Sequence, residues 1–139
     1  CEMPKIKHIA IATQDAAKTA SFYKDVFGLR EIAKLESANA NGFFLSDGNV
    51  NMAILDFQND AVAGVQGKEY SGIHHIGFQV DDLDEAIENL EGADGKQLST
   101  REGLDPAMAA TGPRNFEMKW AGPDDVVIDI SHTGWTTSA

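Results

Sequence analysis

The sequence predicts an α+β fold made of two βαβββ modules, and three observations carry that prediction. First, Lys5-Ile6-Lys7-His8-Ile9-Ala10-Ile11-Ala12-Thr13-Gln14-Asp15 returns as Gly72-Ile73-His74-His75-Ile76-Gly77-Phe78-Gln79-Val80-Asp81-Asp82. His8 matches His75 and Asp15 matches Asp82 at one offset of 67 residues. Second, each copy runs into an amphipathic helical pattern behind an acidic cap. Third, three short strand-like segments follow each helix. One helix can cover only one face of a four-stranded sheet, so each module leaves a face free. Pairing the modules gives a cup-shaped mixed sheet with helices on the outer face, and it brings His8 and His75 together.

The elements follow in order. Residues 5–12 alternate as a strand with one covered face, with His8, Ala10 and Ala12 sharing a side opposite Ile9 and Ile11. Thr13 or Asp15 can cap a helix from about 15 to 27, where Ala16, Ala20, Tyr23 and Phe27 form a stripe and Gly28 ends it. Strands are expected near 30–36, 41–47 and 50–56, the last two joined by a tight turn at Asp47-Gly48 or Gly48-Asn49. Residues 58–71 are polar without sustained period and read as a connection. The pattern then restarts: strand 73–80, cap Asp82, and a helix with Leu83, Ala86, Ile87 and Leu90 on its apolar side. Strands near 96–101, 114–120 and 125–131 complete the second module. Residues 102–113 form a Gly/Pro/Ala-rich loop, either a lid or ordinary mobile surface.

The chain of 139 residues is thus one domain over 1–139, with module one at about 4–57, the connection at 58–71 and module two at about 72–132. The only cysteine is Cys1, so no disulfide framework or thiolate zinc cluster is available. A formal charge of −11 and the lack of a basic run exclude phosphate-backbone recognition, so no nucleic-acid partner is expected. No apolar run approaches membrane-spanning length, and no basic-then-apolar leader stands at the N-terminus, so no membrane partner is expected and a cytoplasmic location is the default.

The residues with chemistry lie on the predicted cup face. A lone strand histidine is usually structural, but His8 and His75 occupy equivalent positions, which favours joint use. In Phe116-Glu117-Met118-Lys119-Trp120 the apolar residues form a core face. Glu117 and Lys119 share the other, where Glu117 is either a general base or part of a solvated strand face. Gln79 is on the His75 side and could orient a substrate; Asn51 is a further substrate-binding candidate. His74 has the parity of Lys7 and should point away from the cup, in a structural or supporting role.

The sequence resembles the vicinal oxygen chelate superfamily, which includes glyoxalase I, methylmalonyl-CoA epimerase, extradiol dioxygenases and bleomycin-resistance proteins. The resemblance runs from Lys5 to about Ser131. It rests on His8-Ile9-Ala10-Ile11-Ala12, on Ser21-Phe22-Tyr23-Lys24-Asp25-Val26-Phe27-Gly28-Leu29, on the Gly72–Asp82 stretch, and on Gly122-Pro123-Asp124-Asp125-Val126-Val127-Ile128-Asp129-Ile130. It implies a divalent metal ion (Fe, Mn, Ni or Zn) held by His8, His75 and Asp129. A fourth ligand position falls at Ala53, which cannot bind metal. Three ligands leave open positions for an oxygen-rich small-molecule substrate. The implied activity is extradiol-dioxygenase-like or lyase/isomerase chemistry with Glu117 as the catalytic residue; the alternative is a metal-free small-molecule binding protein of the bleomycin-resistance type. A homodimer is also implied, and the connection is long enough for exchange of modules.

Overall fold

The computed structural model describes residues 3–99 and 117–138. Module one contains β1 (Lys5–Ala12), α1 (Ala16–Phe27), β2 (Arg30–Glu36), β3 (Ala40–Ser46) and β4 (Asn51–Phe57). A short helix α2 (Asp60–Ala63) and a 3-10 turn (Gly64–Gln66) follow. Module two contains β5 (Gly72–Gln79), α3 (Leu83–Gly92), β6 (Lys96–Gln97), β7 (Met118–Ala121) and β8 (Val127–Ser131). The loop expected at 102–113 and the expected start of β7 lie outside the described residues.

The eight strands described form one mixed sheet in the order β2-β3-β4-β1-β5-β8-β7-β6. Within each module the first strand lies parallel to the last, and the modules join where β1 and β5 run antiparallel. The duplication persists in the register. Ala10 sits opposite Ala53 in module one, and Gly77, its counterpart at the 67-residue offset, sits opposite Asp129 in module two. Ala53 is therefore the positional counterpart of Asp129.

The two longer helices cover the outer face, as expected. Asp15 accepts from the Lys18 backbone N–H and Asp82 from that of Glu85, so each module's acidic residue caps its helix. Gly28 ends α1 in the left-handed region at φ 71°, which a side chain would strain. On α1, Ala20 packs with Leu45 and Ile54; on α3, Leu83 packs with Val80, Met118, Trp120 and Ile130.

The connection was expected to lack regular structure. Instead Asn59 caps α2 by accepting from Val62 N–H, and Ala63 packs on the inner face with Ala10, Ala12, Ala53, Leu55 and Phe57. The short helix thus sits inside the cup while α1 and α3 stay outside. Its stretch is too short to show a helical period, and it is held by tertiary burial of Ala63.

A second difference is at β5. The β1–β5 register shifts between the pairs Ala10↔His75 and Ile11↔Ile73, leaving His74 as an extra residue. This bulge breaks the alternation, so His74 and His75 are consecutive buried residues and both line the inner cavity. His74 does not point away from the cup as its parity predicts.

Candidate metal centre

Residues from both modules converge where β1, β5 and β8 lie side by side. His8, His75 and Asp129 are 3, 5 and 0% exposed, and one ligand atom of each lies within 4.8 Å of the others. His8 Nε2 is 3.1 Å from His75 Nε2, which is 3.2 Å from Asp129 Oδ2. With bonds of about 2.1 Å, two neighbouring ligands on a six-coordinate ion stand about 3.0 Å apart. The observed spacings match that edge.

Hydrogen bonds on the far side of each ring are consistent with one assignment of the ring protons. Asn51 Nδ2 donates to the Thr136 carbonyl at 2.8 Å, so Asn51 Oδ1 faces His8 Nδ1 at 2.8 Å as an acceptor. His8 therefore donates from Nδ1 and leaves Nε2 bare. Burial lowers the His8 pKa to about 4, with Asp129 opposing the shift, so the ring is neutral near pH 7. Similarly, His74 Nε2 donates to the Ala63 carbonyl at 2.6 Å, and its Nδ1 lies 2.8 Å from His75 Nδ1. Burial holds both rings below the ordinary histidine range, so neutral His74 accepts from His75 Nδ1–H. His75 Nε2 is then bare as well. Two imidazole nitrogens and a carboxylate oxygen facing one another make a donor set that could hold a divalent ion.

Beside this triad are two residues of opposite sign, Lys119 and Glu117. Lys119 lies opposite Asp129 in the β7–β8 register, and its Nζ donates to Oδ1 at 2.8 Å and Oδ2 at 3.0 Å. Burial alone would raise the Asp129 pKa, but Lys119 and then His75 outweigh it and hold the carboxyl well below its usual range. Burial also acts to lower the Lys119 pKa, and Asp129 and Glu117 more than reverse it. Glu117 accepts from Trp135 Nε1–H at 2.8 Å and hydrogen-bonds Asp129. Burial first, and Asp129 second, push its pKa up to about 8.

Trp135 closes one side of the centre. Its ring stacks on His8 with centroids 4.8 Å apart and planes 4° from parallel. Gly77 permits this, since a Cβ there would come within 2.7 Å of both the Trp135 ring and His8 Cβ. The other side opens into a cavity of about 370 Å³. His8, His74, His75, Glu117 and Lys119 supply its polar end, and Leu55, Phe57, Val62, Val65, Leu98 and Val127 its apolar walls.

Five of the expected site residues are therefore together: His8, His75 and Asp129 at the centre, Glu117 against Asp129, and Asn51 behind His8. Asn51 supports His8 and is not among the cavity-lining residues. Gln79 packs against Gly134 in the C-terminal segment, away from the cavity lining. Sequence reasoning passed over Lys119 as part of a solvated face; its shared parity with Glu117 was the available signal. Trp135 and His74 carried no comparable signal, because tail docking and a bulge set their places.

The sequence model of the Glyoxalase/Bleomycin resistance protein/Dioxygenase superfamily matches residues 5–113.

The chain belongs to that superfamily.

Human mitochondrial methylmalonyl-CoA epimerase is 31% identical over 100 residues, covering 68% of this chain and 57% of that protein. The mouse enzyme is 28% identical over 103 residues, covering 70% of this chain and 58% of that protein. The chain thus spans less than two thirds of the length of these superfamily relatives. Among solved structures, a hypothetical protein from Bacillus halodurans C-125 is similar with a TM-score of 0.69 at 18% identity, over 99% of this chain and 100% of that one. A methylmalonyl-CoA epimerase in complex with methylmalonyl-CoA and NH4+ is similar with a TM-score of 0.63 at 20% identity, over 93 and 94% of the two chains. These likenesses establish the superfamily fold for the chain.

Proposed function

We propose that this chain is a metal-dependent isomerase that moves a proton at a carbon next to a carbonyl, with an acyl thioester related to methylmalonyl-CoA as its substrate. The observation that carries the reading is the polar end of the cavity, where two bare imidazole nitrogens and Asp129 converge beside a glutamate whose pKa is about 8. The epimerase relatives favour isomerase chemistry over the ring cleavage that the three-ligand set also suits.

His8, His75 and Asp129 would hold the ion. When bound it supplies Lewis-acid stabilisation of negative charge on a substrate oxygen. Glu117 takes the proton from the acidic carbon. A carboxyl titrating near 8 is a stronger base than an ordinary one and still ionises in part at neutral pH, which suits both removal and return of the proton. Lys119, half-buried at the cavity lining, offers its ammonium to a substrate carboxylate or to the carbonyl oxygen as charge builds there. Leu55, Phe57, Val62 and Val65 take the apolar part of the acyl group and keep water from the reacting carbon.

The ion pair between Lys119 and Asp129 favours a second reading, because it neutralises the carboxylate without any metal. In that case the chain is a metal-free small-molecule binder. The deciding experiment combines metal analysis with deuterium exchange. Protein loaded with a divalent ion is incubated with a methylmalonyl thioester in deuterium oxide, and NMR follows wash-in at the acidic carbon. The isomerase reading expects one ion per chain and exchange that chelator abolishes. Protein that retains no ion and catalyses no exchange overturns it.

A further inference from the structure

We infer that His74 is a positioning residue for the metal centre: it holds His75 in the tautomer whose bare Nε2 faces the ion site, and it is itself held by the last carbonyl of α2. The inference rests on the metal-centre reading above and extends it to a connection between the ion and the cavity wall.

Three independent observations meet at this side chain. The first is the bulge, which turns inward a residue that regular alternation would send to the outer face. The second is the direction of the hydrogen bonds. A carbonyl can only accept, so His74 Nε2 donates to Ala63; with one proton on each ring, His74 Nδ1 then accepts from His75 Nδ1–H across 2.8 Å. The proton that could otherwise occupy the ion-facing nitrogen of His75 is kept on the opposite side of the ring. The third is rigidity. His74 is 8% exposed and its ring packs on Phe57 at 4.8 Å, while Ala63 is 1% exposed and packed against Ala10 and Ala12. Neither end of the relay is free to drift.

The relay also joins two parts of the site that are apart in sequence. Ala61, Val62, Ala63, Gly64 and Val65 line the cavity, and Ala63 carries the carbonyl on which His74 hangs. The segment that fixes His75 is thus also part of the cavity wall. His8 is tied differently: its Nδ1 faces Asn51 Oδ1, and Asn51 in turn donates from Nδ2 to the tail carbonyl of Thr136.

The test uses the wild-type chain and two variants. Long-range proton–nitrogen NMR on metal-free wild-type protein reads the tautomers directly, and the expected result is His74 protonated on Nε2 with His75 protonated on Nδ1. Titration with Co2+, followed by its visible absorption, then compares His74→Leu with His74→Gln. Leucine fills the space but offers neither donor nor acceptor, and it should weaken Co2+ binding about tenfold to a hundredfold, the usual range for losing such a partner. Glutamine keeps one donor and one acceptor and should recover most of that loss. A merely structural role would lower the melting temperature of both variants without altering Co2+ affinity or spectrum. Wild-type affinity in His74→Leu, or His75 protonated on Nε2 in the wild-type protein, overturns the role of His74 alone. Wild-type protein that takes up no Co2+ overturns the metal centre and, with it, this role. Should His74→Leu fail to fold, the wild-type tautomers decide.

Discussion

Modules one and two share a backbone plan and divide the chemistry unequally. Their first and last strands pair in the same register, so Ala10 and Ala53 in module one occupy the positions of Gly77 and Asp129 in module two. Module one places alanines there and continues with Leu55 and Phe57, which with Ala63 of the connection form an apolar wall. Module two places a carboxylate there and surrounds it with Lys119 and Glu117. His8 is the only residue of module one among the three ligand candidates. Duplication thus explains the frame, and divergence within it separates a half that carries most of the buried charge from a half that presents an apolar wall.

The largest expected effect probes the chemical half. Glu117→Gln should slow proton exchange by about a hundredfold to ten-thousandfold, the range for losing a general base, while divalent-ion binding measured by calorimetry remains. Equal loss of both would make Glu117 a structural member of the centre. Next comes His75→Ala, which should abolish stoichiometric metal uptake measured by elemental analysis, since it leaves one imidazole and one carboxylate already neutralised by Lys119. Asn51→Leu is milder. It removes the acceptor that fixes His8 Nδ1, and affinity should fall about tenfold or more with all three ligands still present.

The inequality between modules can also be reversed. Ala53→Glu restores a carboxylate at the position equivalent to Asp129, so it should tighten divalent-ion binding. It also lowers the melting temperature of the metal-free protein, because Ala53 is 1% exposed in an apolar cluster. Unchanged affinity would mean that the two last-strand positions are equivalent in register but not in reach.

A separate readout is the pH dependence of stability. Glu117 holds its proton up to about pH 8 when folded, whereas an unfolded chain releases it near 4.5. The contribution of this group is fully present below 4.5 and is lost as pH rises through about 8. Melting curves of metal-free protein should fall across that window, and Glu117→Gln should flatten the fall. A parallel decline in the variant would assign it to other groups.

Much of the frame was legible in local pattern. Alternation over residues 5–12 and 73–80, the caps Asp15 and Asp82, and Gly28 depend on neighbours a few residues away, so they can be read before anything is folded. The offset between His8 and His75 then placed two side chains on one face, and the family resemblance added Asp129. Glu117 was legible by parity too, although its neighbours and its raised pKa were not.

What the sequence by itself determined is therefore the two-module plan and the face of those strand residues that keep regular alternation, because both follow from short-range periodicity. Only the tertiary structure decided the inward turn of His74, the place of α2 inside the cup, the pairing of Lys119 with Asp129 and the stacking of Trp135 on His8. Each depends on contact between residues far apart in the chain. A bulge exists only against the strand it is out of step with, and a pKa shifts only once burial and a neighbouring charge are in place.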